Sequence, residues 1–224
     1  MFYMASFFIL ITGCKKNDTK PLPTPGTASD IDGNVYHTAT IGTQVWMVEN
    51  LRTTKYRDGT PIPNVTDTAT WIHLTSGAYC SYNNASNNFD IYGGLYNWYA
   101  ATSIHNICPK GWHVPSDSEW KVLITFLGGD SIAGGKLKEK GTVNWEDPNT
   151  GATNESGFSA RPGGCRDADG FDNYDGGNVL AFFWSSSAYD TNNAWERSVR
   201  FCAVDVLRFN FNKNNGFAIR CVKD

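Results

Sequence analysis

The stretch ICPKGWHVPSDSEW, residues 107–120, decides the fold because it specifies where a helix begins. Ser116, followed three residues later by Glu119, forms the sequence pattern of a capping box, and Pro115 stops the helix from extending backwards. The apolar residues that follow recur at helical spacing and form one face: Trp120, Leu123, Ile124 and Leu127. The pattern predicts an amphipathic helix from about Ser116 to Leu127, ended by the glycine pair 128–129.

The rest of the folded part consists of short β-type runs separated by turns, with one further helical segment at 95–102. Residues 35–39 and 44–48 predict a hairpin. Further strands are predicted at 79–82, 181–187, 197–201, 206–211 and 217–222. In 206–211, apolar and polar residues alternate, which is typical of a strand with one buried face. Two helices early and antiparallel strands late predict a loop-rich α+β domain at residues 31–224, with the helices packed on the strands.

The amino terminus is typical of an exported lipoprotein. Residues 1–13 form a short apolar segment, far below the ~20 residues that span a bilayer. Cys14 follows small residues in a pattern that resembles a lipobox, so we expect it to be lipidated, with palmitate among its acyl groups. Residues 14–30 are then polar and rich in proline, which predicts a flexible tether. The first four residues carry no Lys or Arg, unlike most signal peptides, and a chance cysteine after an apolar start is the alternative.

Charge and cysteine spacing exclude two classes of protein. Charged residues make up 18% of the chain, the net charge is −3, and no basic stripe is present, so we expect no nucleic-acid partner. None of the six cysteines forms a CxxC pair, which argues against zinc and thioredoxin-like sites. Aromatic residues are frequent at 14%, with eight Trp, and suit a loop-rich globular domain.

Several long motifs resemble the Fibrobacter-type major paralogous domain family (FISUMP). They are DGNVY (32–36), IGTQVWMVENL (41–51), YGGLYNWYA (92–100), CPKGWHVP (108–115), FWSS (183–186) and GFAIRCVKD (216–224). The resemblance implies an exported bacterial protein, mainly a lipoprotein, with a C-type-lectin-like α+β domain distantly similar to sulfatase-modifying enzymes. Since Lys15-Lys16 follows the lipobox in place of a retention aspartate, we expect an outer-membrane lipoprotein, periplasmic or surface-exposed.

The resemblance also implies a disulfide. In lectin-like folds a cysteine near the last strand is bridged to an earlier element, and Cys108 and Cys221 fit that role. A second pairing, Cys165 with Cys202, is a further hypothesis. We interpret Cys80 as a small buried hydrophobic residue.

Known catalytic patterns were sought and not found in the sequence. Sulfatase-modifying enzymes use a cysteine pair, but the corresponding stretch 184–200 contains no cysteine and therefore no soft ligands for copper. Ser185-Ser186-Ser187 lacks the glycines of a nucleophile elbow. His113, in the turn motif, is interpreted as a packed, hydrogen-bonded histidine. We therefore predict no catalytic residues.

An acidic, glycine-containing loop is the candidate cation site. Asp167, Asp169 and Asp172 offer oxygen ligands that suit calcium, although their spacing is not that of an EF-hand. Asp and Gly are also ordinary turn residues, so a plain turn is the alternative. Calcium is the one cofactor considered; otherwise we expect none.

Aromatic residues beside Asn-rich loops leave two interpretations open, sugar stacking or core packing: Trp71, Tyr82, Tyr92, Tyr174, Tyr189 and Trp195. For most of them the core is favoured. The resulting hypothesis is a non-enzymatic, lipid-anchored envelope or surface protein that presents a lectin-like domain to a protein or glycan partner. The alternatives are a divergent sulfatase-modifying enzyme and a structural lipoprotein without a ligand.

Overall fold

The computed structural model describes residues 26–171 and 178–224. Its strands are β1 Thr27–Ser29, β2 Val35–Ile41, β3 Gln44–Met47, β4 Tyr79–Cys80, β5 Leu95–Tyr96, β6 Trp112–His113, β7 Arg166–Asp167, β8 Gly170–Phe171, β9 Leu180–Ala188, β10 Asn193–Arg200, β11 Leu207–Asn212 and β12 Val222–Lys223. Its α-helices are α1 Thr68–Trp71, α2 Ser86–Tyr92, α3 Trp98–Ala101, α4 Asp117–Phe126 and α5 Asp130–Leu137, and residues Tyr82–Asn84 form a 3₁₀ turn. The architecture is mixed α and β, with few helices and mostly antiparallel strands.

The largest sheet has five strands in the order β1-β2-β3-β12-β6. All its neighbours are antiparallel. The predicted hairpin is confirmed: β2 and β3 pair from Thr38↔Met47 to Ile41↔Gln44, and Gly42 takes the positive φ of 63° that the tight turn requires. The sheet therefore joins the first described strand and the last strand of the chain.

A second sheet has the order β11-β10-β9 and presents β11 at its edge. The alternation predicted for 206–211 exists, but its burial was predicted wrongly. Leu207 and Phe211 are only half-buried and Phe209 is 52% exposed, because the core covers this face only near Phe211, whose ring packs against Phe182 and Phe217. Two further sheets are two-stranded ribbons, β4-β5 and β7-β8.

Helix α4 begins where the capping box predicted. The Ser116 hydroxyl accepts from the backbone N–H of Glu119 at 3.3 Å, and the Glu119 carboxylate accepts from the backbone N–H of Ser116 at 2.8 Å. The buried face of the helix consists of Trp120, Leu123 and Ile124, as the spacing indicated. The Trp120 ring lies 4.8 Å from that of Trp46 on β3, so this helix closes one side of the core.

Several elements differ from their sequence-based expectations. Within the described residues, five α-helices form where two were predicted, and the strand predicted at 79–82 ends at Cys80. The helix expected at 95–102 is split, because Asn97 caps the short α3 by accepting from the backbone N–H of Ala100, and the residues before it form β5. The last strand is shorter than 217–222: Phe217 and Ala218 make only single bridges, and regular pairing is confined to β12.

Helix α5 was not anticipated from the sequence. Its middle residues, Gly134 and Gly135, are poor helix formers. They are accommodated because the helix packs backbone to backbone: a Cβ on Gly134 would collide with the carbonyl of Asp205. Tertiary contact, rather than local propensity, forms this helix.

The disulfide implied by the resemblance is confirmed. Cys108 and Cys221 are bonded, with 6.1 Å between their Cα atoms and a separation of 113 positions in sequence. The second pairing is wrong, because Cys202 is an exposed free thiol whereas Cys165 is buried. Cys80 is buried as expected, and burial raises the pKa of its thiol to about 11.

Candidate functional site

A polar cleft of about 330 Å³ lies beside the large sheet. Strand β2 and the segment after β3 form one wall, the end of α2 forms another, and residues 139 and 159–161 form the third. Arg220, next to the disulfide, lies at its floor. The volume falls within the range of about 300–1,000 Å³ typical of sites that bind small molecules.

One wall carries a histidine–carboxylate pair. Glu49 follows β3, and the hairpin register places its neighbour Val48 across from His37 on β2, so Glu49 and His37 are brought close together. The carboxylate accepts from the backbone N–H of His37 at 2.7 Å, and the His37 Nδ1 lies 2.8 Å from Glu49 Oε1. Both side chains are accessible, so they can exchange these contacts for a ligand.

The opposite wall carries an arginine–carboxylate pair. Arg161 donates from Nε and Nη2 to Glu139 Oε1, each at 2.9 Å. Asn144 Nδ2 donates to the second oxygen of Glu139 at 2.7 Å, which fixes the carboxylate. Arg161 also donates to the carbonyl of Ile91 at 3.3 Å and so ties this wall to helix α2.

The floor is built around the buried guanidinium of Arg220. Its Nε and Nη2 donate to Asn50 Oδ1 at 3.0 and 2.6 Å, and its Nη1 donates to the carbonyl of Phe158. The guanidinium lies 4.2 Å from the centroid of the Phe158 ring. Burial lowers the pKa of Arg220 to about 9, because removal from water disfavours the charged form.

A glycine allows the cleft wall to approach the floor. Gly93 has φ 81°, and a Cβ at this position would lie 2.7 Å from the carbonyl oxygen of Leu51. Only glycine tolerates both conditions. Asn50 completes the contact by donating from Nδ2 to the carbonyl of Tyr92 at 2.8 Å.

The cleft thus offers charged and amide groups with fixed orientations. The cleft also contains the hydroxyl group of Ser159, which accepts a hydrogen bond from Asn154 Nδ2 at 2.8 Å. The imidazole of His37 contacts Glu49. The arrangement provides several donors and acceptors to a polar ligand, and the hydrogen bonds to charged groups are the stronger ones.

No sequence pattern predicted a site at His37, Glu49, Arg161 or Arg220. The walls come from positions far apart in sequence, so no local pattern marks them. Arg220 could have been noticed in the sequence, because it is the one charged residue in the apolar run 217–222. Charged side chains are almost never fully buried unless they are paired, so a charge in such a run indicates a specific interaction.

The residues proposed for calcium are only partly described. Asp167 ends β7 and Asp169 follows in the turn to β8, where the backbone N–H of Asp169 donates to Asp167 Oδ1 at 2.9 Å. Asp172 lies outside the described residues, and so does Cys14. Among residues 26–171 and 178–224, no group of three or more His, Cys, Asp and Glu side chains could hold a metal ion.

His113 forms a junction rather than part of the cleft. Its Nδ1 lies 2.7 Å from Asp224 Oδ1 and its Nε2 lies 2.8 Å from Glu119 Oε1. The histidine therefore links the end of the chain to the capping box of α4, in agreement with its interpretation as a hydrogen-bonded structural residue.

The loop aromatics divide as the core interpretation favoured, with one exception. Trp71 and Tyr82 are buried, and Tyr92 is half-buried. Tyr189 is 53% exposed and contacts the half-buried Trp195, with ring centroids 4.8 Å apart. The remaining candidate, Tyr174, lies outside the described residues.

Comparison with known families gives one match. The family model of the Fibrobacter succinogenes major domain matches residues 39–223, which is more than half of the chain. The chain belongs to this family. The match runs from β2 to β12, so the major domain includes Glu49, Arg161 and Arg220, whereas His37 lies just before it. No curated protein and no solved structure matches the chain. In the part of the chain that the structure describes, no helix has the length and apolar character needed to cross a bilayer.

Proposed function

We propose that this major-domain protein is a non-enzymatic glycan-binding protein of the bacterial cell envelope, held at the outer membrane by a lipid on Cys14. The polar cleft is the binding site. The observation that carries the proposal is the convergence of paired charged side chains and a fixed amide on one cleft of about 330 Å³.

The chemistry of the cleft suits sugar hydroxyl groups. A hydroxyl donates one hydrogen bond and accepts others, so it pairs with a carboxylate and a guanidinium at the same time. Glu49 and Glu139 supply acceptors, and Arg161 supplies donors. The exposed apolar side chains of Val35 and Ile91 at the rim can pack against the faces of a sugar ring.

The size of the cleft favours a glycan over a protein partner. A stable protein interface buries about 800 Å² on each partner, much of it in a broad surface with a hydrophobic centre. This cleft is narrow and has charged walls, which fits one or a few sugar units. The lectin-like fold that we infer for the domain agrees with such a ligand, because the Cys108–Cys221 bond fixes the last strand and leaves the connecting loops free to vary.

The anchor and the tether place the domain away from the lipid. Because Thr27–Ser29 already belong to the sheet, the spacer is residues 15–26, which reach roughly 37 Å at ~3.1 Å per residue if they are extended. The domain would then contact glycans beyond the lipid headgroups. Mass analysis of the amino-terminal peptide, with and without Cys14→Ser, tests the lipid attachment.

The binding proposal is tested on a glycan array with the full chain carrying Cys14→Ser, which keeps the protein in solution. For glycans that bind, we expect the double variant His37→Ala/Arg161→Ala to bind at least tenfold more weakly, since each hydrogen bond to a charged group contributes about 1.5–3 kcal/mol. The matched control is Lys136→Ala, which removes an ion pair with Glu155 of similar exposure outside the cleft.

A blank array would refute glycan binding. If the double variant binds as tightly as the wild type, the binding site lies outside the cleft. Turnover of a cysteine-containing peptide by the purified protein with copper and oxygen would instead support the sulfatase-modifying alternative.

A further inference from the structure

We propose that the cleft selects saccharides that carry an anionic group, a carboxylate or a sulfate, and that Arg220 and Arg52 recognise it. This inference rests on the proposed function and specifies its ligand class. It follows from two arginines of the cleft that have no carboxylate bound to them among the described residues.

The acidic side chains in the walls already have partners. Glu139 forms an ion pair with Arg161, and Glu49 contacts His37, a histidine that carries a charge only when it is protonated. The third carboxylate, Asp90, is exposed at the rim, where water screens it. Arg220 and Arg52 remain, and among the described residues neither forms an ion pair with a carboxylate. The inner part of the cleft therefore contains two guanidinium groups to which no carboxylate of the described residues is directly bound.

Arg220 is the deeper of the two, with 1% of its surface exposed. A guanidinium has five N–H donors, and three hydrogen bonds are formed here, to the neutral oxygens of Asn50 and Phe158. Two donors are left without a protein acceptor among the described residues. Charged side chains are almost never fully buried unless they are paired, so an uncompensated arginine at the floor of a cavity indicates an anionic ligand.

Arg52 supplies an independent second observation. Its Nε is buried and has no hydrogen-bond partner in the part of the chain that the structure describes. Its backbone N–H donates to Tyr36 Oη at 3.1 Å, which holds the residue in place at the cleft. An unsatisfied buried donor costs about 1–3 kcal/mol, or more when it is charged, and a ligand oxygen would remove that cost.

Arginine suits the recognition of planar or tetrahedral oxyanions. Its fork of donors binds two oxygens of one carboxylate or sulfate at once. Sugar units that carry such a group also present the hydroxyls that the cleft walls can bind. An acidic saccharide therefore uses both the walls and the floor, whereas a neutral one uses only the walls.

The test compares ligands that differ only in charge. The full chain carrying Cys14→Ser is titrated calorimetrically with short oligogalacturonate and with its methyl ester, at fixed ionic strength. A second arm uses a sulfated and a desulfated oligosaccharide, which distinguishes carboxylate from sulfate recognition. We expect the acidic member of at least one pair to bind at least tenfold more tightly, and Arg52→Gln to abolish that difference.

Arg161→Gln is the matched control, because Arg161 lies in the same cleft but is already paired with Glu139. It is expected to weaken both members of a pair and to leave a clear preference for the acidic member, whereas Arg52→Gln removes that preference. Since Arg220→Gln could prevent folding, Arg220→Lys is used as well; it keeps the charge, loses the fork and is expected to reduce the ratio.

The outcomes separate this inference from the proposed function. Equal binding of acidic and neutral members, with loss of both in His37→Ala/Arg161→Ala, would overturn the anionic preference and leave glycan binding intact. Absence of binding in both arms would overturn both. Equal affinity for a glutamate-rich peptide and the acidic saccharide would show recognition of the anion alone and would also refute the saccharide assignment.

Discussion

Removal of the disulfide by the double substitution Cys108→Ala/Cys221→Ala should lower the free energy of unfolding by about 4.8 kcal/mol. The bond closes a loop of 113 residues. In the chain-entropy model, closing such a loop removes about 16 cal/mol/K from the unfolded chain, which is about 4.8 kcal/mol at 25 °C. Lost packing of the buried sulfurs adds to this value, since both residues are almost fully buried.

Urea unfolding, followed by tryptophan fluorescence, measures this loss. We expect a lower midpoint, and a slightly larger dependence on urea because the unfolded chain exposes more surface without the crosslink. Wild-type protein in reductant should lose the contribution of the crosslink but less of the packing, because its sulfur atoms remain, so its loss should be somewhat smaller than that of the double variant. Cys202→Ala is the control, because that thiol is exposed and unbonded, and it should change stability by no more than about 0.5 kcal/mol. A loss below about 2 kcal/mol in both the variant and the reduced protein would refute the loop-entropy reasoning.

Three further predictions concern single side chains. Ser116→Ala removes the N-cap of α4 and should lower the free energy of unfolding in urea by about 1 kcal/mol. Ser118→Ala should lower it by less, and equal losses would show that the N-cap does not stabilise the helix. At His113, burial disfavours the charged form, but hydrogen bonds to Asp224 and Glu119 prevail and raise the pKa above 6.5. The contribution of His113 to the free energy of unfolding is therefore complete below the pKa that the residue has in the unfolded chain, and it is lost as the pH rises through the pKa of the folded protein. Thermal unfolding of His113→Gln should not show this decline in stability. At Glu196, burial raises the pKa from 4.5 to about 8, so stability is retained below about pH 4.5 and falls as pH rises through 8. Glu196→Gln should flatten that fall and exceed the wild type in stability at pH 8, and an unchanged pH profile would contradict this.

Local signals in the sequence were sufficient where one side chain satisfies a neighbour a few residues away. The capping box at Ser116 and Glu119 fixed the start of α4, and the turn at Gly42 fixed the register of β2 and β3. In both cases the partners lie within four residues of each other, so the pattern contains the whole interaction.

Prediction was weaker where a distant contact decides the outcome. Helix α5 depends on the close approach of Asp205 to Gly134, and no pattern in the sequence of the helix predicts that contact. The apolar face of β11 was expected to be buried, but a strand pattern does not say whether its sheet has another layer over it.

The candidate site belongs to this second group. Asn50 and Arg220 are 170 residues apart in sequence and share a hydrogen bond only after β3 and β12 have paired. The family motifs contain both residues, yet their chemistry becomes visible only when the floor of the cleft is assembled. Sequence alone could give the fold class and the disulfide implied by the resemblance, but not the cleft.

The position of the crosslink determines how the domain responds to mechanical load. The covalent loop encloses residues 108–221, so β1, β2 and β3 lie outside it, and apart from the backbone itself only noncovalent contacts hold them in the sheet. A pulling force that enters from the amino-terminal side first meets β1, a three-residue strand paired with β2 alone. We expect β1 to separate from β2 before the rest of the domain unfolds. The disulfide then limits how far residues 108–221 can extend.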